Sequence, residues 1–156
     1  MHEFLEFLYC CASAAPQPTP RDWFERMNTM CTLVMDRGLP VYDDDPFVVV
    51  SLFHTEVEKH TLNLDIVMQQ FVGGDVSTSV WGPVAWSILH RMRGDKIEAL
   101  LRCWEHVLPC QACRAHLSEH IRHTQFDFAS QQAAHRYTVA LHNAVNLQLG
   151  KKLFIL

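Results

Sequence analysis

Apolar residues recur at helical spacing along most of this chain, and the breaks between runs fall at prolines, glycines and acidic turns. The clearest run follows Pro20: Trp23, Met27, Met30, Cys31 and Val34 share one face of a helix predicted over residues 21–37, with Asp22 as its cap and Gly38 and Pro40 as its stop. Upstream, MHEFLEFLYCCASA reads as a short amphipathic helix or a loose arm, set apart by the extended linker Pro16 to Pro20. Ala12, Ser13 and Ala14 look like a small-residue cleavage site, but Glu3 and Glu6 stand where a secretory signal carries positive charge. After the acidic turn Asp43–Asp45, Pro46 opens FVVVSLFHTEV, whose β-branched residues suit a buried helix or a strand equally. Lys59–Phe71 is amphipathic again, with Leu62, Ile66, Met68 and Phe71 inward, until Gly73–Asp75 breaks the chain. Residues 1–74 are expected to form a mainly helical extension whose apolar faces pack on the rest of the chain or on a partner.

The second half is more clearly punctuated. Pro83 suits the first helical position after Gly82, giving a helix WGPVAWSILHRM that ends at Gly94 and turns Val84 and Ile88 to the core. Trp86 and His90, four apart, share another face. An indole and an imidazole so placed suit a flat ligand, or simply a packed Trp beside a surface His. Asp95 and Glu98 make a capping-box-like start for the next helix, whose stripe Ile97, Leu100, Leu101, Trp104 and Leu108 runs to Pro109. A third helix starts at LPCQAC and carries Cys110, Cys113, Leu117 and Ile121 on one face. The last, Gln131 to Leu149, turns Ala134, Tyr137, Leu141 and Val145 inward, sets His142 and Asn146 one turn apart on its flank, and stops at Gly150. The predicted class is all-α.

Composition narrows the function classes. A chain of 156 residues holds one domain with a real core, or a compact domain with a sizeable extension. A net charge of -4 argues against a protein that lives on nucleic-acid phosphates or an anionic membrane surface. No apolar run approaches the ~20 residues of a membrane span. Six cysteines are too few for a disulfide-dense scaffold, and they include a CxxC and the adjacent pair Cys10 and Cys11, so redox use fits better than stapling. At a helix start the unpaired backbone N–H groups favour a thiolate, and three-residue spacing brings Cys110 and Cys113 together. A bare CxxC nonetheless serves equally as half a zinc site or as a structural pair. The row His116, His120, His123 keeps a zinc-binding or structural helical adaptor open, although His116 follows Cys113 too closely for the usual two-knuckle spacing. Cys10, Cys11 and Cys31 stand as shuttle candidates or packed thiols, and Cys103 as a partner for Cys31 or a buried free thiol.

WGPVAWSILH, PCQAC and LHNAVNLQLGK, in that order, resemble the three signatures of the Erv/ALR sulfhydryl oxidases, small FAD-dependent enzymes, over about residues 78–152. The resemblance implies that residues 75–156 form a four-helix bundle holding FAD, consistent with the lack of a GxGxxG fingerprint. It implies that Cys113 lies against the isoalloxazine, that Cys110 exchanges with the incoming thiolate, and that Gly82, Trp86, His90, His142, Asn143, Asn146 and Lys151 line the FAD pocket. No resident metal is implied. Electrons would pass from protein thiols or a thioredoxin-like carrier to O2, releasing H2O2, in an enzyme that commonly forms a homodimer. The short interval from His90 to Cys110 is closer to the compact viral versions, hence a leaning towards a large DNA virus, acting in host cytoplasm or virion. Arg122 and Val139 stand where the cellular family carries an extra structural disulfide.

Overall fold

Asp45 decides the stretch that suits helix and strand alike. Its Oδ1 accepts the Phe47 N–H at 2.9 Å, while Asp43 Oδ1 holds the Asp45 N–H at 3.0 Å, so an orphan donor of the first turn is capped and FVVVSLFHTEV winds up as a helix. The computed structural model describes residues 2–58 and 77–153, and among these described residues there are seven helices: α1 His2–Ser13, α2 Arg21–Met35, α3 Pro46–Glu58, α4 Thr78–Arg91, α5 Gly94–Val107, α6 Gln111–Arg122 and α7 Gln131–Gln148. No strand occurs among the described residues, in keeping with the all-α expectation. The amphipathic segment Lys59–Phe71, the break at Gly73–Asp75 and the boundary expected between residues 74 and 75 lie outside the described residues.

Helix α5 occupies the middle: it packs against α2 on one side and against α6 and α7 on the other, while α4 lies on α7 and α1 bridges α3 and α4. Helix α1 is no loose arm. Phe4, Leu5, Phe7, Leu8, Cys10 and Cys11 are all buried, and the Phe7 ring sits 6.0 Å from Trp81 and 6.1 Å from Trp104. From α5, the Trp104 indole N–H donates to Met30 Sδ of α2 at 3.2 Å. The first two helices therefore share one hydrophobic cluster with the second half of the chain. None of the helices among the described residues is long and apolar enough to cross a membrane.

Several helix ends differ from expectation, each for a local reason. Asp22 does not cap α2. The N-cap is Pro20, without a side-chain bond, and Asp22 instead faces Arg26 at 3.6 Å and His106 at 3.7 Å from within the first turn. Reversal at the other end falls to Asp36, in the left-handed region at φ 57°. Gly38 serves a tighter purpose: a Cβ there would come within 2.5 Å of Asn28 Oδ1, the atom that accepts the Leu39 N–H at 2.7 Å. Helix α4 begins at Thr78, five residues before Pro83, because Ser77 Oγ accepts the Ser79 N–H at 3.2 Å and buried Trp81 anchors the added turn. Pro83 thus lies inside the helix and Gly82 is part of it. Inward positions of α4 are Trp81, Ala85, Ile88 and Leu89, with Val84 only half-buried. The capping box of α5 does not form: Asp95 pairs with Arg93 at 2.9 Å and Glu98 with Arg102 at 2.9 Å. Gln131 of α7 caps it from across the bundle, its Oε1 accepting the Gly94 N–H at 2.8 Å while its Nε2 donates to the Met92 carbonyl at 3.0 Å.

Candidate active site

Leu108 ends α5 and Cys110 begins α6, so the turn between them carries the CxxC into the angle between two packed helices. Cys110 is itself the N-cap, its Sγ accepting the Cys113 N–H at 3.2 Å. Both cysteines are half-buried thiols, with Leu117 and Ile121 buried on the same face below them. The expectation that the helix start makes a ready thiolate needs correction at Cys113. Burial pushes that thiol up to about 12, the hydrogen-bonded Cys110 sulfur adds to the rise, and the backbone N–H and the Arg114 guanidinium offset only part of it. Arg114 is held by the Leu108 carbonyl, which its Nη1 reaches as donor.

The two sulfurs open onto a cavity of about 850 Å³, within the ~300–1,000 Å³ span of small-molecule sites. Its wall is mostly apolar, and Gly82, Trp86, His90, His142, Asn146 and Lys151 all line it together with Cys110 and Cys113. Of the residues the sequence singles out, Asn143 alone is absent from that wall; it is half-buried elsewhere on α7. A Cβ on Gly82 would meet nothing within 4 Å, so the glycine keeps that stretch of wall open. The Trp86 and His142 rings stack with centroids 4.0 Å apart and planes 11° from parallel, a flat aromatic surface on one side of the cavity. His90 Nε2 lies 3.0 Å from His142 Nδ1, and His90 Nδ1 lies 3.0 Å from Thr138 Oγ1. Burial lowers the affinity of His90 for a proton, helped by His135; burial, His90 and Lys151 together bring His142 down to about 4. Both rings are neutral at physiological pH.

Lys151 reaches the cavity because α7 ends in a Schellman turn. Gly150, at φ 70°, donates its N–H to the Leu147 carbonyl at 3.2 Å, and Lys151 N–H returns to the Asn146 carbonyl at 2.8 Å. The histidine row divides. His116 and His120 line the cavity, whereas His123 is exposed and bonds Glu119 at 3.0 Å. Among the described residues no three His, Cys, Asp or Glu side chains converge as a metal site. The shuttle candidates Cys10, Cys11 and Cys31 are buried, as is Cys103, and burial raises all four thiols. Two residues of the imidazole network escape sequence reading: Thr138, buried in the step between Ala134 and Leu141, and His135, whose Nδ1 donates to the His90 carbonyl at 3.2 Å. A polar residue on an otherwise apolar helix face was the available sign of Thr138.

Residues 84–156 match the model of the Erv1 / Alr family. Over that span the chain is similar to that family. The matched span holds the CxxC, both histidines of the stacked wall and Lys151, so the Erv1 / Alr segment and the walls of the cavity largely coincide. Relatives support the same half. The chain is 25% identical over 97 residues to a putative FAD-linked sulfhydryl oxidase of Invertebrate iridescent virus 6, covering 51% of this chain and 87% of that one. It is 26% identical over 92 residues to a probable FAD-linked sulfhydryl oxidase of Acanthamoeba polyphaga mimivirus, covering 50% and 64%. A FAD-linked sulfhydryl oxidase of Arabidopsis thaliana is 26% identical over 92 residues, covering 52% of this chain and about half, 48%, of that protein. No solved structure matches the chain.

Proposed function

We propose that this protein is an FAD-dependent sulfhydryl oxidase that forms disulfides in protein thiols through Cys110 and Cys113. The observation that carries the reading is the shared wall: a CxxC at a helix start opens onto the same 850 Å³ cavity as the stacked Trp86 and His142 rings. The donor set suits the cofactor. A flat aromatic wall matches a fused-ring system, two neutral imidazoles and the Asn146 amide offer hydrogen bonds, and the Lys151 ammonium complements a diphosphate. Trp86, His90, His142, Asn146 and Lys151 would hold FAD, which supplies a two-electron acceptor that passes the pair on to O2 as H2O2.

The chain's own chemistry is thiol exchange. With the CxxC oxidised, a substrate thiolate attacks Cys110 Sγ, the Cys110–Cys113 bond breaks, and Cys113 departs as a thiolate. The second substrate thiolate attacks the mixed disulfide at the substrate sulfur, releasing Cys110 as a thiolate and the substrate as a disulfide. A sulfur that holds its proton as tightly as Cys113 leaves poorly, so the N–H groups of the α6 start and the Arg114 charge are what lower that cost. Substrates are protein dithiols or a thioredoxin-like carrier, and the expected assembly is a homodimer. The oxidase unit is residues 75–156, with residues 1–74 as the extension whose α1 and α2 complete its core.

Purified protein should be yellow, with the visible absorption of bound flavin, and should consume oxygen when given a dithiol. Colourless, fully folded protein that takes up no added FAD would end the assignment.

A further inference from the structure

The His90–His142 pair has a third member whose proton is already committed. Thr138 is buried, 1% exposed, and its hydroxyl donates to the His135 carbonyl at 2.7 Å. A carbonyl oxygen only accepts, so the one hydroxyl proton is spent there and Thr138 Oγ1 has only lone pairs to offer. His90 Nδ1, 3.0 Å away, must therefore carry the proton that fills that contact. In a neutral imidazole the other nitrogen is then an acceptor, so His90 Nε2 receives a proton from His142 Nδ1 at 3.0 Å. The bonds run one way: His142 to His90, His90 to Thr138, Thr138 to the His135 backbone.

We propose that Thr138 is a positioning residue that fixes His90 and His142 in their Nδ1–H tautomers and so locks the ring orientation of the aromatic wall. Turning either imidazole over replaces a nitrogen in this chain by carbon and breaks a bond on a half-buried path. With both rings held, the 4.0 Å stacking of His142 on Trp86 is set before any ligand arrives, which lowers the cost of ordering the site on binding. A proton added to His90 would set two N–H groups facing each other across the His90–His142 contact, so the network itself resists the charged form of that ring. His135 beside His90, 5.9 Å between ring centroids, and Lys151 on the cavity side of His142 act in the same direction. The functional half of the proposal rests on the flavin reading; the tautomer half does not.

The test uses the full chain with 15N-labelled histidine, as purified, and reads both ring nitrogens of each residue by long-range 1H–15N correlation. The expected result is Nδ1–H for His90 and His142 in the wild type, retained in Thr138→Ser, which keeps the hydroxyl. In Thr138→Val the acceptor for His90 Nδ1–H is gone, and the chain is expected to reverse to Nε2–H on both rings. FAD affinity should fall by roughly tenfold in that variant, about one lost hydrogen bond, and recover in the Ser variant. Nε2–H on His90 in the wild type, or tautomers unchanged in Thr138→Val, would overturn the proposal whatever the colour of the protein. Reversed tautomers with undiminished FAD affinity would remove its functional half. Absent flavin with the expected tautomers would instead sink the oxidase reading alone.

Discussion

Six sulfurs of one residue type occupy two regions of this molecule and are made into different things there. Cys10, Cys11, Cys31 and Cys103 lie where α1, α2 and α5 meet, each at most 1% exposed, while Cys110 and Cys113 line an open cavity. In the first region the surroundings are Phe7, Met30 and Trp104, and burial lifts Cys11 well above the ordinary thiol range. Cys113 is lifted too, but it has backbone N–H groups, a guanidinium and solvent within reach. An enclosed thiol is inert because no reaction partner can approach it, so access divides the two groups more sharply than proton affinity does.

The most severe way to break the comparison is at the cavity. Cys113→Ser should reduce dithiol-dependent oxygen uptake to background, leaving the helix content by circular dichroism and the flavin absorbance essentially as they are, because a half-buried hydroxyl at that position can reach water. Turnover near the wild-type rate would show that the second cysteine is not in the electron path. Next in size is an attack on the wall around the four core sulfurs. Phe7→Ala removes the ring between Trp81 and Trp104 and should cost about 3–5 kcal/mol by denaturant unfolding. If the cost is under 1 kcal/mol, α1 is not part of the core.

How much of this division was legible in the sequence depends on the range of the interactions behind it. Local signals carried far: Cys110 and Cys113 at a helix start, Trp86 and His90 one turn apart, the Gly150 stop of α7. The family signatures brought His142, Asn146 and Lys151 to the same site. What the sequence hid came from across the bundle. Gln131 caps α5 from α7, which no reading of Asp95 and Glu98 would reveal, and the burial of Cys10 and Cys11 depends on where α1 docks, not on its own pattern. Thr138 matters through His90, 48 residues away. Pro83 misled because proline favours a first turn, whereas Ser77 and Trp81 had already started the helix upstream.

The two regions can be told apart more finely by what they tolerate. Cys31 is fully enclosed, so Cys31→Ala loses only a small apolar volume and should cost about 1 kcal/mol, with oxygen uptake unchanged. Cys31→Ser puts a hydroxyl into the same space and should cost about 1–3 kcal/mol beyond a well-satisfied site. Equal costs for the two variants would mean that water or a polar partner reaches Cys31. Titration of the dithiothreitol-reduced protein with a thiol reagent should accordingly find two sulfurs reacting in the folded chain and the other four only on denaturation.

The smallest effect is the one that reads the cavity wall directly. His142 stays neutral down to about 4 in the folded chain against an ordinary value near 6.5, so between those limits the unfolded chain binds the proton first. Its contribution to stability is therefore complete above about pH 6.5 and drains away as the pH falls towards 4. A single fully shifted site changes stability by ~1.4 kcal/mol per pH unit, and solvent around this half-exposed ring reduces that further. Thermal unfolding between pH 7 and 5.5, above the range where carboxylates dominate, should show the midpoint dropping for the wild type and dropping less for His142→Phe, which keeps a ring to stack on Trp86 but cannot titrate. Parallel slopes would place the His142 proton in the ordinary range and with it remove the reason to treat the aromatic wall as a neutral, dry surface built for a flat ligand.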